Sequence, residues 1–370
     1  MASEMLYPIM PVFLKSIGFS IVLIGILEGL AEAIAGLSKA WFGNLSDKMG
    51  SRLPFVQIGY FLSAISKPMM SLLIYPFWIF IARTTDRLGK GIRTGARDAL
   101  LSDETTVATK ASVFGFHRSM DTLGAVLGPA IALVWLYFNP GNYKQLFLLA
   151  FIPGCIAIFF TLIIKERKTK VDTVAKLKPT SFFVFFSFWK NSNPEYRRLV
   201  TGLLLFAMFN SSDVFLLLKA KEAGINDTYI IGIYIFYNLI YAIAAFPVGI
   251  IADKIGMKKI QLIGFLLFAG VYTGFAFARV TWHFLLLFLF YGLYAAATEG
   301  ISKAWISNIV NKNETATAIG TYTGFQSIMA LIASSLAGTL WFCYGANFTF
   351  LITAGATFFV VVYIQRVCKD

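Results

Sequence analysis

Apolar residues run along this chain in long unbroken blocks separated by short polar punctuation. The blocks approach about 20 residues, the length at which an α-helix crosses a bilayer. A membrane barrel would instead alternate apolar and polar residues over about 10 positions. Six blocks centre near Pro11, Ala31, Tyr60, Ile81, Val126 and Ile156, and six more near Leu205, Tyr237, Phe268, Leu289, Met329 and Phe358. The pattern predicts an all-α polytopic membrane protein with twelve spans in two groups of six. A first bundle takes residues 1–164, a polar linker 165–195 and a second bundle 196–370. Span 1 is abnormal. From Met1 to the turn at Ser16–Gly18 there are too few residues to cross about 30 Å at about 1.5 Å per residue. It is expected either to lack an upstream segment or to enter part-way.

Composition sharpens the class. The chain is 58% hydrophobic and 14% charged, with mean hydropathy +0.71, against about 25% charged for soluble domains. A net charge of +13 invites a nucleic-acid reading, but the cations fall mostly between apolar blocks, as the positive-inside rule predicts for cytoplasmic loops. The linker, with Lys165, Arg167, Lys168, Lys170, Lys176, Lys178, Lys190, Arg197 and Arg198, is the most basic stretch. It is placed in the cytoplasm, and both termini with it. Within it SFFVFFSFW is too short to span and is expected to lie in the interface. Cys155, Cys343 and Cys368 have no metal or redox spacing, so no disulfide is expected. The start, MASEMLYPIM, lacks the basic region of a cleavable signal peptide. GKGIRT lacks the spacing of a phosphate loop and follows no strand. Neither ATP hydrolysis nor any other enzyme chemistry is indicated.

An internal repeat is legible. GNLSDKMGSR (Gly43 to Arg52) follows span 2, and GIIADKIGMKK (Gly249 to Lys259) follows span 8. Both read G-x-[LI]-x-D-K-x-G, about half a chain apart, as duplicated transporter halves do. Gly43 and Gly249 permit close helix approach. Asp47 and Asp253 are suited to cap a neighbouring helix or pair with a cation.

These segments resemble the loop signature of the major facilitator superfamily. RLGKG (Arg87 to Gly91) is similar to its fourth-span pattern R-x-x-Q-G, with Lys90 in place of Gln. GAVLGP (Gly124 to Pro129) is similar to its fifth-span antiporter pattern G-x-x-x-G-P, without the trailing glycine pair. DRLGKGIRTGARDAL, FGFHRSMDTLGAVLGP and NSSDVFLLLKA resemble a poorly characterised bacterial branch. The resemblance implies two six-helix bundles with pseudo-two-fold symmetry, a central cavity lined by spans 1, 4, 7 and 10, and alternating access. It implies a monomer in a bacterial inner membrane among lipids, moving a small-molecule substrate with protons and no cofactor. The fifth-span pattern favours export by proton antiport. Uptake by symport, and a transport-inactive sensor, scaffold or truncated relative, stand as alternatives.

Charged residues inside spans are expensive and usually functional. With Arg97 as the cytoplasmic end of span 4, Arg83 sits roughly 21 Å above it, and Asp86 and Arg87 roughly 15–17 Å. Asp121 on span 5, and Glu32 and Glu28 on span 2, reach similar depths, roughly 15, 13 and 20 Å. Each acid is expected to meet a cation of span 4. Arg83, Asp86, Arg87, Glu28, Glu32, Asp121, Asp213 and Glu299 are therefore the candidates for substrate binding or coupling, against a structural ion-pair lattice. His117 and Asp121 share a face, as do Glu28 and Glu32. Gly43, Asp47, Arg52, Arg93, Arg97, Gly249 and Asp253 are the candidates for gating, with Arg93 and Arg97 expected to reach Asp47 or Asp98.

Overall fold

The computed structural model describes residues 1–6, 9–10, 13–14, 17–73, 75–166 and 184–368. Fourteen α-helices are described: α1 Ala2–Leu6, α2 Ile21–Met49, α3 Leu53–Leu72, α4 Pro76–Asp103, α5 Lys110–Phe138, α6 Tyr143–Ile163, α7 Val184–Asn191, α8 Pro194–Ala207, α9 Val214–Glu222, α10 Asp227–Ile255, α11 Met257–Phe277, α12 Thr281–Ile309, α13 Thr315–Tyr344 and α14 Ala346–Val367. No strand occurs among the described residues. Seven of the helices among them are long and apolar enough to cross a membrane. Helix α4 is not one of them, because Arg83, Asp86, Arg87, Lys90, Arg93, Arg97 and Asp98 all lie on it.

Chain signals set the helix ends. Ser20, Asn142, Asn193 and Asn226 each accept a backbone N–H from the first turn of the helix that follows, which satisfies a donor that the helix leaves orphaned. Helix α2 does not stop before the GNLSDKMG segment. It continues through that segment to Met49 and closes on Gly50 at φ 59°. Helix α10 likewise runs to Ile255, and Gly256 sits at φ 104°. The repeated signature is therefore the last turns of a helix and not a loop, with only its second glycine in the turn. Helix α4 also runs six residues past Arg97, which lifts every depth estimate on that span by about 9 Å.

Span 7 is not one helix. It breaks between Ala207 and Val214, leaving Met208–Asp213 non-helical. The sequence there is MFNSSD, and Asn, Ser and Asp compete with helical hydrogen bonds through their own side chains. The short aromatic stretch of the linker forms α7, eight residues long. Residues 167–183, including the cations from Arg167 to Lys178, lie outside the described residues.

The chain forms two compact units, and neither is a contiguous half. One holds Met1–Asp103, Gly124–Asn191 and Asn311–Gly324; the other holds Glu104–Leu123, Ser192–Val310 and Phe325–Asp370. The division read from the apolar blocks is thus crossed by two segments, the starts of α5 and α13. In the first unit α4 packs on α2 and α3, and α3 packs on α6. Its apolar core gathers Met5, Leu6, Met70, Ile79, Phe147 and Ala150. In the second unit α12 packs on α10 and α11, and α11 on α14. Its interior is aromatic, with Tyr196, Phe265, Phe268, Tyr272, Phe275, Phe284, Phe288 and Phe350 all closed off.

Candidate functional site

The repeated signature does the same work in each unit. In the first, Asp47 Oδ2 accepts the Thr317 amide at 2.7 Å and its hydroxyl at 2.6 Å, and Oδ1 accepts the Ala316 amide at 3.4 Å. In the second, Asp253 Oδ1 and Oδ2 accept the Ala111 and Ser112 amides, each at 2.8 Å. Each aspartate thus binds the first turn of another helix, α13 or α5. A carboxylate belongs there, because the orphan N–H groups and the positive end of the dipole both attract it. The glycine four residues earlier makes the approach possible. A Cβ on Gly43 would collide with the Ala316 carbonyl, and one on Gly249 with the Ala111 carbonyl.

Around Asp47 the first unit adds a charge network. Arg52 donates from Nη1 to Asp47 Oδ1 and from Nε to Asp103 Oδ2, both at 2.6 Å, and from Nη2 to the Lys312 carbonyl at 2.9 Å. Its backbone is held as well. Glu166 accepts the Arg52 and Leu53 amides at 2.5 and 2.9 Å and the Ser51 hydroxyl at 3.1 Å. Asp47 lies beyond the apolar part of α2. Burial outweighs Arg52 and Thr317 there and lifts its carboxyl from 3.8 to about 6. Arg97 meets Asp98, one of its two expected partners, whereas the bond seen for Arg93 is to a hydroxyl. Arg93 donates to Ser63 Oγ at 2.6 Å and lies over the Tyr60 ring. Arg97 pairs with the adjacent Asp98 at 2.8 Å.

Deeper in the first unit, Asp86 is paired, but with a partner that the sequence reading passed over. Lys67 on α3, with a side chain 0% exposed, donates from Nζ to Asp86 Oδ1 at 2.6 Å, to Ser3 Oγ at 3.0 Å and to Ser66 Oγ at 3.3 Å. Arg83 Nη1 lies 3.9 Å from the other carboxylate oxygen. Lys67 is a lone cation inside the apolar run SAISKPMM, and the rule that such residues carry function applied to it as much as to its neighbours. The side chains of Glu28 and Glu32 lie outside the described residues, and their expected pairing with span 4 lies there with them. Arg87 is half-buried on α4.

The segment of Asp121 belongs to the second unit, where Arg118, one turn away on α5, takes Asp121 at 3.3 Å and Glu299 of α12 at 2.5 Å. Arg118 Nε also donates to the Tyr241 hydroxyl at 2.5 Å. Glu299 and Asp121 keep 35% and 49% of their side chains accessible. Asp213, at the break in span 7, accepts the Tyr291 hydroxyl at 2.7 Å. Tyr237, Tyr291 and Tyr294 line up beside it, with successive ring centres 5.0 and 5.2 Å apart.

A repeated helix-capping signature in two all-helical units, each with charges set deep within it, narrows the families to consider. The Major Facilitator Superfamily model matches residues 1–236 and 214–367. The chain belongs to that superfamily. It is a multi-pass membrane protein of a family of solute transporters. An uncharacterised MFS-type transporter of Methanocaldococcus jannaschii is 32% identical over 348 residues, covering 92% of this chain and 85% of that one. The quinolone resistance protein NorA of Staphylococcus aureus is 23% identical over 294 residues, 71% of this chain and 73% of that one. Among solved structures, the Escherichia coli fucose:proton symporter FucP superposes with a TM-score of 0.81 at 13% identity, covering 100% of this chain and 95% of that one. The human organic anion transporter MFSD10 superposes with a TM-score of 0.78 at 14% identity, covering 98% and 95%. The two likenesses to solved structures speak to the fold. GAVLGP lies on α5, where Gly124 rests against Met1 and Gly128 against Met5 of α1.

Proposed function

We propose that this protein is a secondary active transporter that exports a small organic solute in exchange for protons, by alternating access. The observation that carries the coupling is the Arg118–Glu299–Asp121 group. It sets two accessible carboxylates against one arginine, so a proton arriving on Glu299 competes directly with Arg118 for the same oxygen. The Asp47 and Asp253 caps supply the gating, because each is a specific, breakable contact at a helix start. The superfamily's fifth-span pattern and the similarity to a drug-resistance protein support the export direction. No metal or organic cofactor is proposed; the proton gradient is the energy source. Arg83, Asp86 and Lys67 form the second charged group, which we assign to holding α3, α4 and α1 together beside the transport path.

Proteoliposomes with an imposed pH gradient test this reading, with a fluoroquinolone as the first solute. An acidic interior is expected to drive uptake into the vesicle, since protons leave as the solute enters. Uptake driven by an acidic exterior would mean symport. Uptake indifferent to the gradient would remove the proton from the mechanism. Glu299→Gln is expected to abolish the gradient dependence while exchange of solute for solute continues.

A further inference from the structure

We propose that the break in span 7 is a binding site for a small monovalent cation of the sodium class, held by Asp213, Asn210 and the unwound backbone between α8 and α9. The site does not include Arg118 or Glu299, and the inference does not depend on the direction or the proton coupling proposed above.

Three observations carry it. First, Asp213 stands at the N-cap of α9, where an aspartate ordinarily accepts an amide of the first turn. Its side chain makes no such bond and turns to the Tyr291 hydroxyl. Among the described residues no cation pairs with it. A carboxylate in such surroundings needs a counter-charge, because one neutral hydrogen bond does not repay the loss of water. Second, Asn210 donates from Nδ2 to the Tyr294 hydroxyl at 3.0 Å, while its Oδ1 is closed to solvent and accepts nothing. Buried acceptors are rarely left so. Third, no backbone hydrogen bond reaches the carbonyls of Met208, Asn210 and Ser211 among the described residues. Broken transmembrane helices present such freed carbonyls to ions.

The site is therefore rich in acceptors. A proton would neutralise Asp213 but satisfy only one of these oxygens; a metal ion coordinates several together. Size excludes an organic ammonium. The Tyr237, Tyr291 and Tyr294 rings beside the site are 7%, 2% and 4% exposed, which leaves no open aromatic face for a bulky cation. Oxygen-only ligands with a single carboxylate suit a hard cation of low charge, whereas the usual calcium site gathers several carboxylates.

The test is thermal unfolding of the purified protein in detergent, titrated with sodium chloride against choline chloride at constant ionic strength and pH. Sodium is expected to raise the midpoint saturably, by about 2 °C at ten times its dissociation constant. Asp213→Asn and Asn210→Ala should each weaken sodium binding at least tenfold, and Asn210→Ala keeps the carboxylate if Asp213→Asn folds poorly. Binding is read without transport, so the result stands even if no solute is ever found. Equal effects of sodium and choline would overturn the proposal. So would a shift that follows pH alone and disappears in Asp213→Asn, which would make Asp213 a protonation site.

Discussion

The Lys67–Asp86 pair separates a structural role from a functional one. Lys67 is wholly closed off and Asp86 nearly so, at 0% and 6%. Removing one member of a buried pair strands the other and costs about 3–5 kcal/mol. The two single substitutions are not equivalent here. In Lys67→Met, Asp86 keeps Arg83 at 3.9 Å and the Ser3 hydroxyl at 3.2 Å. In Asp86→Asn, the ammonium keeps only the hydroxyl oxygens of Ser3 and Ser66 and the neutral amide oxygen, with the positive Arg83 still nearby. Asp86→Asn is therefore the more damaging, at the upper end of that range, and the unfolding midpoint falls by roughly 5–10 °C.

The double substitution Lys67→Met with Asp86→Asn removes both charges of the pair, while Arg83 loses Asp86 in it just as in Asp86→Asn alone. It is expected to recover about 2–3 kcal/mol relative to the sum of the singles. Heat unfolding in detergent, followed by circular dichroism, measures the cycle. Simple additivity would refute the claim that the two charges hold each other. Transport by the double variant then decides the role. If the pair only joins α3 to α4, the double variant regains transport with stability; if Asp86 acts on the solute or the proton, the folded double variant stays inactive.

Three further outcomes follow from the helix caps. Gly43→Ala and Gly249→Ala push a methyl group into a backbone carbonyl, so each is expected to destabilise by about 1–3 kcal/mol and to slow transport, whereas Gly270→Ala, which faces open space, leaves the unfolding midpoint unchanged within a degree or so. Asp253→Asn weakens two amide bonds at the start of α5, at a cost of about 1 kcal/mol, and hydrogen exchange at Ala111 and Ser112 should rise several-fold; unchanged exchange would mean the cap does not hold that turn. Asp47 binds its proton more tightly when packed, at about 6, than when exposed, at 3.8, so its contribution to the packed state is complete below about 3.8 and is lost as pH rises through about 6. Exchange at Ala316 and Thr317, corrected for its intrinsic pH dependence, should accordingly be slower near pH 5 than near pH 7, and the reverse order would show that Arg52 outweighs burial.

Blocks of apolar residues are read directly by a helical fold, so the all-α membrane class was legible, and so was the repeat, because duplication copies residue types at fixed spacing. The partners of the charged side chains were not legible. Depth along a span says how far a residue lies from the rim, but not which way it faces or which neighbour it meets. Asp121 matched span 4 in depth and meets Arg118, because the start of α5 belongs to the other unit. Lys67, the cation that Asp86 needs, lies on the neighbouring span 3, and only the packing of α3 on α4 brings the two together. Glu166, which holds the Arg52 backbone, is an acid at the edge of a strongly basic linker. The break at Met208–Asp213 has its signal in NSSD, whose side chains compete with helical hydrogen bonds.

The two copies of the signature are alike in what they cap and unlike in what supports them. In the first, Arg52 follows Asp47 by five residues and ties it to Asp103 and the Lys312 carbonyl. In the second, the residue five beyond Asp253 is Lys258, whose ammonium donates to the Cys368 carbonyl at 2.6 Å instead. Lysine carries a single point of charge where arginine offers a fork, so even a redirected Lys258 could not hold two carboxylates as Arg52 does. Asp253 is left with its two amides, a plain cap; Asp47 sits in a network of charge-assisted bonds, each about twice as strong as a neutral one. Symmetry of the fold thus does not carry over to symmetry of the latches. The Asp253 cap, resting on two amide bonds, is the weaker, and the Asp47 cap is the one that Arg52 and Asp103 reinforce.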